Sequence, residues 1–74
     1  MTKNEFQLLI DTKTPYEFKY KDKTYNLTYG TDSTGKDYIE FGILYQGERY
    51  SSIKDLMLNA KIENHFLREM LDII

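Results

Sequence analysis

Two short runs of alternating residues constrain the fold of this chain more than any other feature. Residues 16–20 read Tyr-Glu-Phe-Lys-Tyr, and residues 24–29 read Thr-Tyr-Asn-Leu-Thr-Tyr. A period of two, with aromatic or aliphatic side chains at every second position, is typical of β-strands that bury one face. The sequence therefore predicts an antiparallel β-hairpin whose large side chains all lie on one side.

The connection between the two runs sets the register of this hairpin. A two-residue turn at residues 22–23 pairs Phe18 with Leu27 and Tyr20 with Tyr25. The second residue of that turn is a lysine, which suits the positive φ of a type I′ turn poorly. A longer loop is therefore the alternative.

A third strand and a short first helix are predicted on either side of the hairpin. Alternation resumes over residues 37–44 after a glycine-containing loop, which predicts the third strand. At the N-terminus, Thr2 and Glu5 have the S/T-x-x-E spacing of a capping box, and apolar residues follow at helical spacing in residues 6–10. This pattern predicts a helix that ends near residues 12–15.

The C-terminal part shows helical periodicity, for which two interpretations stay open. Ser51 or Ser52 is the predicted N-cap, and the side chains of Ile53, Leu56, Met57 and Ala60 form one apolar stripe. One continuous helix to the end of the chain would place Asn64 among the apolar positions. A break near residues 61–63, with Asn64 capping a new helix, is favoured because asparagine tolerates caps better than core positions.

Together these elements predict a single α+β domain spanning residues 1–74. A three-stranded antiparallel β-meander is covered on one face by the N-terminal helix and by one or two C-terminal helices. The chain has no cysteine, so no disulfide supplements its small core. The predicted core face of the sheet consists of Tyr16, Phe18, Tyr20, Tyr25, Leu27, Tyr29, Ile39, Phe41 and Ile43.

Three features that resemble ligand-binding or catalytic motifs are better explained as structure. Residues 30–36 have the glycine and lysine spacing of a phosphate-binding P-loop, but Asp37 replaces the Ser or Thr that holds magnesium. Aligned with an EF-hand, the same loop places Gly30 and Phe41 at ligand positions, and neither side chain binds calcium. His65 is the only histidine. We therefore expect a protein that is not an enzyme and that has no catalytic residues, metal or cofactor.

A lysine-bearing face of the sheet is the candidate surface for nucleic-acid binding. Cationic and aromatic side chains on a sheet contact DNA or single strands in several protein classes. Glu17 and Glu40 are predicted on the same face, which weakens its attraction for phosphates and is typical of a solvated sheet. The candidate residues are Lys19, Lys21, Lys23, Asn26, Thr28, Lys36 and Tyr38.

The apolar C-terminal segment is the candidate for a protein interface. It is broader than the packing of one helix face requires, and a symmetric homodimer would cover the surplus. The candidate interface residues are Phe66, Met70, Ile73 and Ile74. The favoured function is a small non-enzymatic binding or regulatory protein that acts through protein–protein contacts. Nucleic-acid binding is the alternative.

The charge and hydropathy of the chain limit its compartment and partners. Its net charge of −2 is too small to require nucleic acid or an anionic membrane as a partner. No stretch approaches the roughly 20 apolar residues of a membrane span, and the N-terminal residues lack the apolar core of a signal peptide. We expect a cytoplasmic protein with no membrane contact.

Part of the C-terminal half carries a resemblance to other sequences. The residues concerned are Phe41-Gly42, Tyr50-Ser51-Ser52, Asp55-Leu56 and Asn59-Ala60-Lys61-Ile62. In this stretch the chain resembles small uncharacterised proteins of low-GC Gram-positive bacteria and of their phages or prophages. The resemblance implies a small accessory or host-directed protein of phage type, and it implies no activity and no functional residue.

Overall fold

The computed structural model describes residues 1–74 as a helix, a sheet, a second helix and a short C-terminal segment. The elements are α1 (Lys3–Asp11), β1 (Tyr16–Tyr20), β2 (Lys23–Thr31), β3 (Asp37–Ile43), β4 (Glu48–Tyr50), α2 (Ile53–Asn59), β5 (Lys61–Ile62), β6 (His65–Phe66) and two single 3₁₀ turns, Leu67–Glu69 and Leu71–Ile73. Strands β1 to β4 form one sheet in chain order, all antiparallel, and β5 pairs with β6 in a separate hairpin. The predicted α+β class is confirmed.

The β1–β2 hairpin turns at Lys21 and Asp22, which both have positive φ, 47° and 66°. Two adjacent residues with positive φ are the requirement of a type I′ turn. The predicted turn at residues 22–23 is therefore wrong by one position, and the pairing is wrong by two. Phe18 lies opposite Tyr25, and their rings stack with centroids 5.4 Å apart. A shift of two residues leaves every side chain on its predicted face.

The sheet has one strand more than the predicted meander. Strand β4 has only three residues and pairs with β3, with Phe41 opposite Glu48 and Ile39 opposite Tyr50. The sequence pattern does not reveal this strand, because three residues are too few to show a period of two. The added strand makes β3 a central strand and leaves β1 and β4 as the two edges.

Both helices begin with side-chain caps that their sequences encode. The Thr2 hydroxyl accepts a hydrogen bond from the Glu5 N–H at 3.1 Å, and the Glu5 carboxylate accepts one from the Thr2 N–H at 2.9 Å. This is the predicted capping box. In α2 the cap is Ser52, whose hydroxyl accepts from the Asp55 N–H at 3.1 Å. The Asp55 carboxylate in turn accepts from the Ser51 N–H at 2.9 Å.

The carboxylate of Asp55 makes the start of α2 sensitive to acid. Hydrogen bonds from the Ser51 N–H and from the Asn59 amide hold the pKa of Asp55 below its ordinary value. A lowered folded-state pKa contributes stability that is present above the unfolded value of about 4 and is lost as pH falls through the folded value. The ionised form of Asp55 is therefore part of the helix start.

We expect Asp55→Asn to be less stable than the wild type at pH 7 and to lose less of its stability on acidification. The reason is that the variant has one carboxylate fewer to protonate. Urea unfolding at several pH values between 7 and 2 measures this difference. Profiles of wild type and variant that run parallel through the acidic range would contradict the assignment.

The helical conformation ends after α2, as the favoured interpretation predicts. Ala60 has an extended backbone, and Glu63, with φ of 57°, forms the turn between β5 and β6 together with Asn64. No new α-helix follows the break, because the chain continues as β6 and two 3₁₀ turns. The only histidine, His65, is therefore an exposed strand residue instead of the predicted helical one. The guanidinium of Arg68 donates to the carbonyls of the last turn of α2, at 3.0 and 3.4 Å.

One hydrophobic core lies between the sheet and the three segments that cover it. Its buried residues are Phe6, Tyr25, Leu27, Ile39, Phe41, Leu56, Ala60, Ile62, Leu67, Met70 and Leu71. The nine residues of the predicted core face all belong to this core or pack against it. The hydroxyl of Tyr29 donates to the carbonyls of Leu9 and Thr14, which fixes the end of α1 against β2. Both helices therefore cover the same face of the sheet.

Candidate functional site

The opposite face of the sheet, which we call the outer face, is covered by neither helix. The cross-strand register places its residues at Glu17, Lys19, Thr24, Asn26, Thr28, Gly30, Tyr38, Glu40, Gly42 and Arg49. Two carboxylates and two cations give this face a formal charge of zero. The outer face is therefore polar and electrically balanced, and it contains four of the seven residues proposed for nucleic-acid contact.

The aromatic residue of the outer face is already engaged by its neighbours. Tyr38 lies opposite Gly30 on β2, and its ring covers that glycine so closely that a Cβ there would overlap the hydroxyl end of the ring. The guanidinium of Arg49 lies over the same ring, 4.1 Å from its centroid. Arg49 also pairs with Glu40 at 3.8 Å. Tyr38 therefore completes the sheet surface and does not present a free ring for stacking on a base.

The four lysines of the candidate nucleic-acid surface do not share one face. Lys19 lies on the outer face. Lys23 belongs to the same alternation as Tyr25 and therefore lies on the core side, and Lys21 lies in the hairpin turn with its ammonium 3.7 Å from Glu63. Lys36 lies in the loop between β2 and β3. The grouping predicted from the sequence is therefore wrong. Because the hairpin turn lies at residues 21–22, Lys23 belongs to β2 and projects on the same side of the sheet as the core.

The loop before β3 is held by its own side chains. The carboxylate of Asp32 accepts hydrogen bonds from the Thr34 N–H, the Thr34 hydroxyl and the Lys36 N–H, at 2.6–3.0 Å. These bonds, led by that of the Thr34 hydroxyl, lower the pKa of Asp32. Gly35 supplies the positive φ of 86° that closes the loop. The segment with P-loop spacing is therefore a hairpin loop between two strands, and its first carboxylate is occupied by the loop itself.

The candidate C-terminal interface is divided between core and surface. Met70 is 9% exposed and belongs to the core, and Ile74 packs against it. The ring of Phe66 is half-buried, and two cations lie near it, Arg68 at 4.2 Å and Lys61 at 5.0 Å from its centroid. Ile73 alone is well exposed, at 57%. The segment therefore serves mainly to close the core, and the C-terminal interface stays a prediction whose one well-exposed residue is Ile73.

A cleft of about 340 Å³ lies at the end of the sheet beside the β5–β6 turn. Its lining includes Tyr25 and the charged side chains of Lys23, Glu48, Lys61 and Glu63. Burial, assisted by the charge of Glu63, raises the pKa of Tyr25, so its hydroxyl stays protonated at neutral pH. The cleft therefore combines charges of both signs around a protonated tyrosine hydroxyl.

Sequence reasoning missed the most exposed aromatic side chain of the molecule. Tyr45 is 96% exposed and lies at the tip of the β3–β4 hairpin with a φ of 69°. The Ile43 carbonyl accepts from the Gln46 N–H at 2.7 Å, which closes a turn with Leu44 and Tyr45 at its corners. The available signal was two large apolar residues directly before Gln-Gly, where turns usually place Gly, Asn or Asp.

Neither a protein-family model, nor a curated protein sequence, nor a solved structure matches this chain. No group of three or more His, Cys, Asp or Glu side chains is placed to hold a metal ion. None of its helices is both long enough and apolar enough to cross a membrane.

Proposed function

We propose that this chain is a small non-enzymatic protein-binding module, and that it contacts its partner through the tip of the β3–β4 hairpin. The observation that carries the proposal is Tyr45, a large aromatic side chain that is almost fully exposed on a backbone conformation that disfavours it. The expected phage or prophage context and the cytoplasmic location stay predictions of the sequence.

The conformation of Tyr45 has a cost for the isolated chain. A side chain on a left-handed residue destabilises the fold by about 1–2 kcal/mol relative to glycine, and an exposed ring recovers none of this through packing. Non-glycine residues in such conformations are concentrated at functional sites. Aromatic residues also supply most of the binding energy where proteins meet, because they bury a large area with few rotatable bonds. A partner that covers Tyr45 accounts for both features.

The outer face of the sheet, where the alternative places nucleic acid, gives that alternative little support. The outer face has a formal charge of zero, so it offers no net attraction for phosphates. Its tyrosine ring is engaged by Gly30 and Arg49, and only one of the four candidate lysines lies on it. Nucleic-acid binding through this face therefore stays an alternative with weaker support.

Replacing Tyr45 with glycine is expected to raise the free energy of unfolding by about 1 kcal/mol. The change removes the conformational strain, and a side chain that is 96% exposed gives up no core packing. Urea or thermal unfolding measures the difference. The control for the loss of an exposed apolar side chain is Leu58→Ala, at a position that is 54% exposed. Alanine is used there because Leu58 lies in α2, where glycine would itself weaken the helix.

A photo-crosslinking amino acid at position 45 tests the binding role directly. In cells that express the chain, we expect a discrete protein adduct from position 45 and none from the same amino acid at Leu58 on α2. Equal adducts from both positions would argue against the hairpin tip as the binding surface. Affinity for an oligonucleotide that falls steeply with salt would favour the nucleic-acid alternative instead.

A further inference from the structure

Strand β1 is an edge of the sheet, and its side chains are arranged symmetrically about the central residue. The order is Tyr16, Glu17, Phe18, Lys19, Tyr20. Two tyrosines lie at equal distances from Phe18, and so do two charges of opposite sign. β2 occupies one side of β1, and no strand pairs with the other side. This order makes β1 complementary to an antiparallel copy of itself.

The backbone groups of Glu17 and Lys19 point to the free side of β1. The Leu44 N–H donates to the Thr24 carbonyl at 2.9 Å, so even-numbered residues of β2 bond to β3 and odd-numbered ones bond to β1. Phe18 lies opposite an odd-numbered residue of β2 and directs its N–H and C=O to that strand. Its two neighbours therefore direct theirs away from β2, to the open edge.

We propose that two copies of the chain pair along β1, antiparallel and about a two-fold axis through Phe18. In this register Glu17 of one copy lies opposite Lys19 of the second copy, and the reciprocal pair forms across the axis. Each pair uses the outward-pointing backbone groups and exchanges two hydrogen bonds, as antiparallel strands require. The two sheets of four strands become one continuous sheet with all helices on the same side.

The same register brings aromatic side chains together on the core face. Phe18 meets Phe18 of the second copy, and Tyr16 meets Tyr20, at positions without direct backbone bonds, where opposite side chains approach most closely. Phe18 is only half-buried in the single chain and packs on the edge of the core. A second copy covers its exposed part, and aromatic pairs of this kind stabilise neighbouring strands.

The chain also limits how far this pairing extends. Pro15 has no N–H to donate at one end of β1. At the other end, Lys21 and Asp22 leave the extended conformation with positive φ. The contact is therefore confined to the five residues of β1, and the pairing of Glu17 with Lys19 selects the register within it.

Charges on an edge strand also serve to prevent association. Like charges would repel a second copy in this register, whereas opposite charges at symmetric positions attract it. The sequence of β1 therefore favours a specific dimer over a protected edge. This inference does not rest on the proposed function, because β1 and the β3–β4 hairpin tip belong to different parts of the sheet.

Charge reversal on β1 tests the proposed dimer. We expect light scattering to give a dimer mass for the wild type. Glu17→Lys and Lys19→Glu each place like charges opposite one another in both pairs, so each variant should dissociate with a constant raised about tenfold or more. Both side chains are exposed and form no ion pair within the chain, so circular dichroism should show an unchanged fold.

Complementation makes the test specific for this register. A mixture of Glu17→Lys and Lys19→Glu chains restores opposite charges in both pairs and should form a heterodimer. The double variant Glu17→Lys/Lys19→Glu should form a homodimer again. Lys54→Glu reverses an exposed charge on α2 and should leave the mass unchanged.

Two results would overturn the proposal. The first is a wild type that stays monomeric up to the highest soluble concentration. The second is a dimer whose mass resists both single reversals, which would place the contact elsewhere, and Ile73→Ser would then test the C-terminal surface. Tyr45→Gly should leave the dimer intact, so failure of the dimer and failure of the proposed function are separately visible.

Discussion

Replacing Phe41 with alanine is expected to lower the free energy of unfolding by about 3–5 kcal/mol. Phe41 is 2% exposed, and the centroid of its ring lies 6.1 Å from that of Tyr25 and 6.3 Å from that of Phe18. It projects from β3, a strand that is paired on both sides. Because neither neighbouring strand is free to move inward, most of the volume of the ring would remain as a cavity.

This loss is a large share of the stability of a small domain, for which total values of about 5–15 kcal/mol are usual. Urea unfolding followed by circular dichroism measures it. The matched control is Leu58→Ala, which removes an apolar side chain that is 54% exposed and should cost less than about 1 kcal/mol. Phe18→Ala should fall between the two, because Phe18 is half-buried. Equal losses at Phe41 and Leu58 would contradict the assignment of the core face.

The core face of the sheet could be predicted from the sequence because its signal has a strict period of two. A register error of two residues, such as the one made for Phe18 and Tyr25, leaves each side chain on its face. The two helix starts could also be predicted, since a hydroxyl three residues before a carboxylate is a local signal. Both kinds of signal depend only on neighbouring residues.

The remaining parts of the fold depend on contacts between distant residues. Strand β4 is only three residues long and exists because it pairs with β3. The C-terminal segment has helical spacing of its apolar residues, yet its core positions are reached through the β5–β6 hairpin and two 3₁₀ turns. Burial of Ile62, Leu67 and Leu71 outweighs the local preference for a longer helix. No short stretch of the sequence shows which of these two effects is larger, because the burial depends on residues that are distant in the chain.

The candidate site depended on backbone angles that a sequence does not display. The exposure of Tyr45 follows from a turn whose corner has φ of 69°, and the sequence gives that position no turn residue. Lys23 lies on the core side of the sheet and not on the predicted outer face, because the hairpin turn is one residue earlier than the turn-forming residues of the sequence indicate. The symmetric order of β1 was visible in the sequence, but its meaning required the knowledge that β1 is an edge and which backbone groups face outward.

Gly42→Ala is expected to lower the free energy of unfolding by about 2–4 kcal/mol, although replacing a strand glycine with alanine ordinarily stabilises a protein where the backbone conformation allows it. Gly42 has φ of 153°, and a Cβ there would lie 2.9 Å from the Cα of Gly47, where the β3–β4 turn crosses it. The obstacle is backbone, so the whole hairpin tip must shift.

Gly35→Ala is the matched control, since Gly35 has φ of 86° but nothing within 4 Å of a Cβ, and strain alone should cost it about 1 kcal/mol. If urea unfolding gives equal losses for the two variants, the close approach of Gly47 contributes nothing. A larger loss for Gly42→Ala would show that the turn that carries Tyr45 crosses β3 too closely for any side chain at position 42.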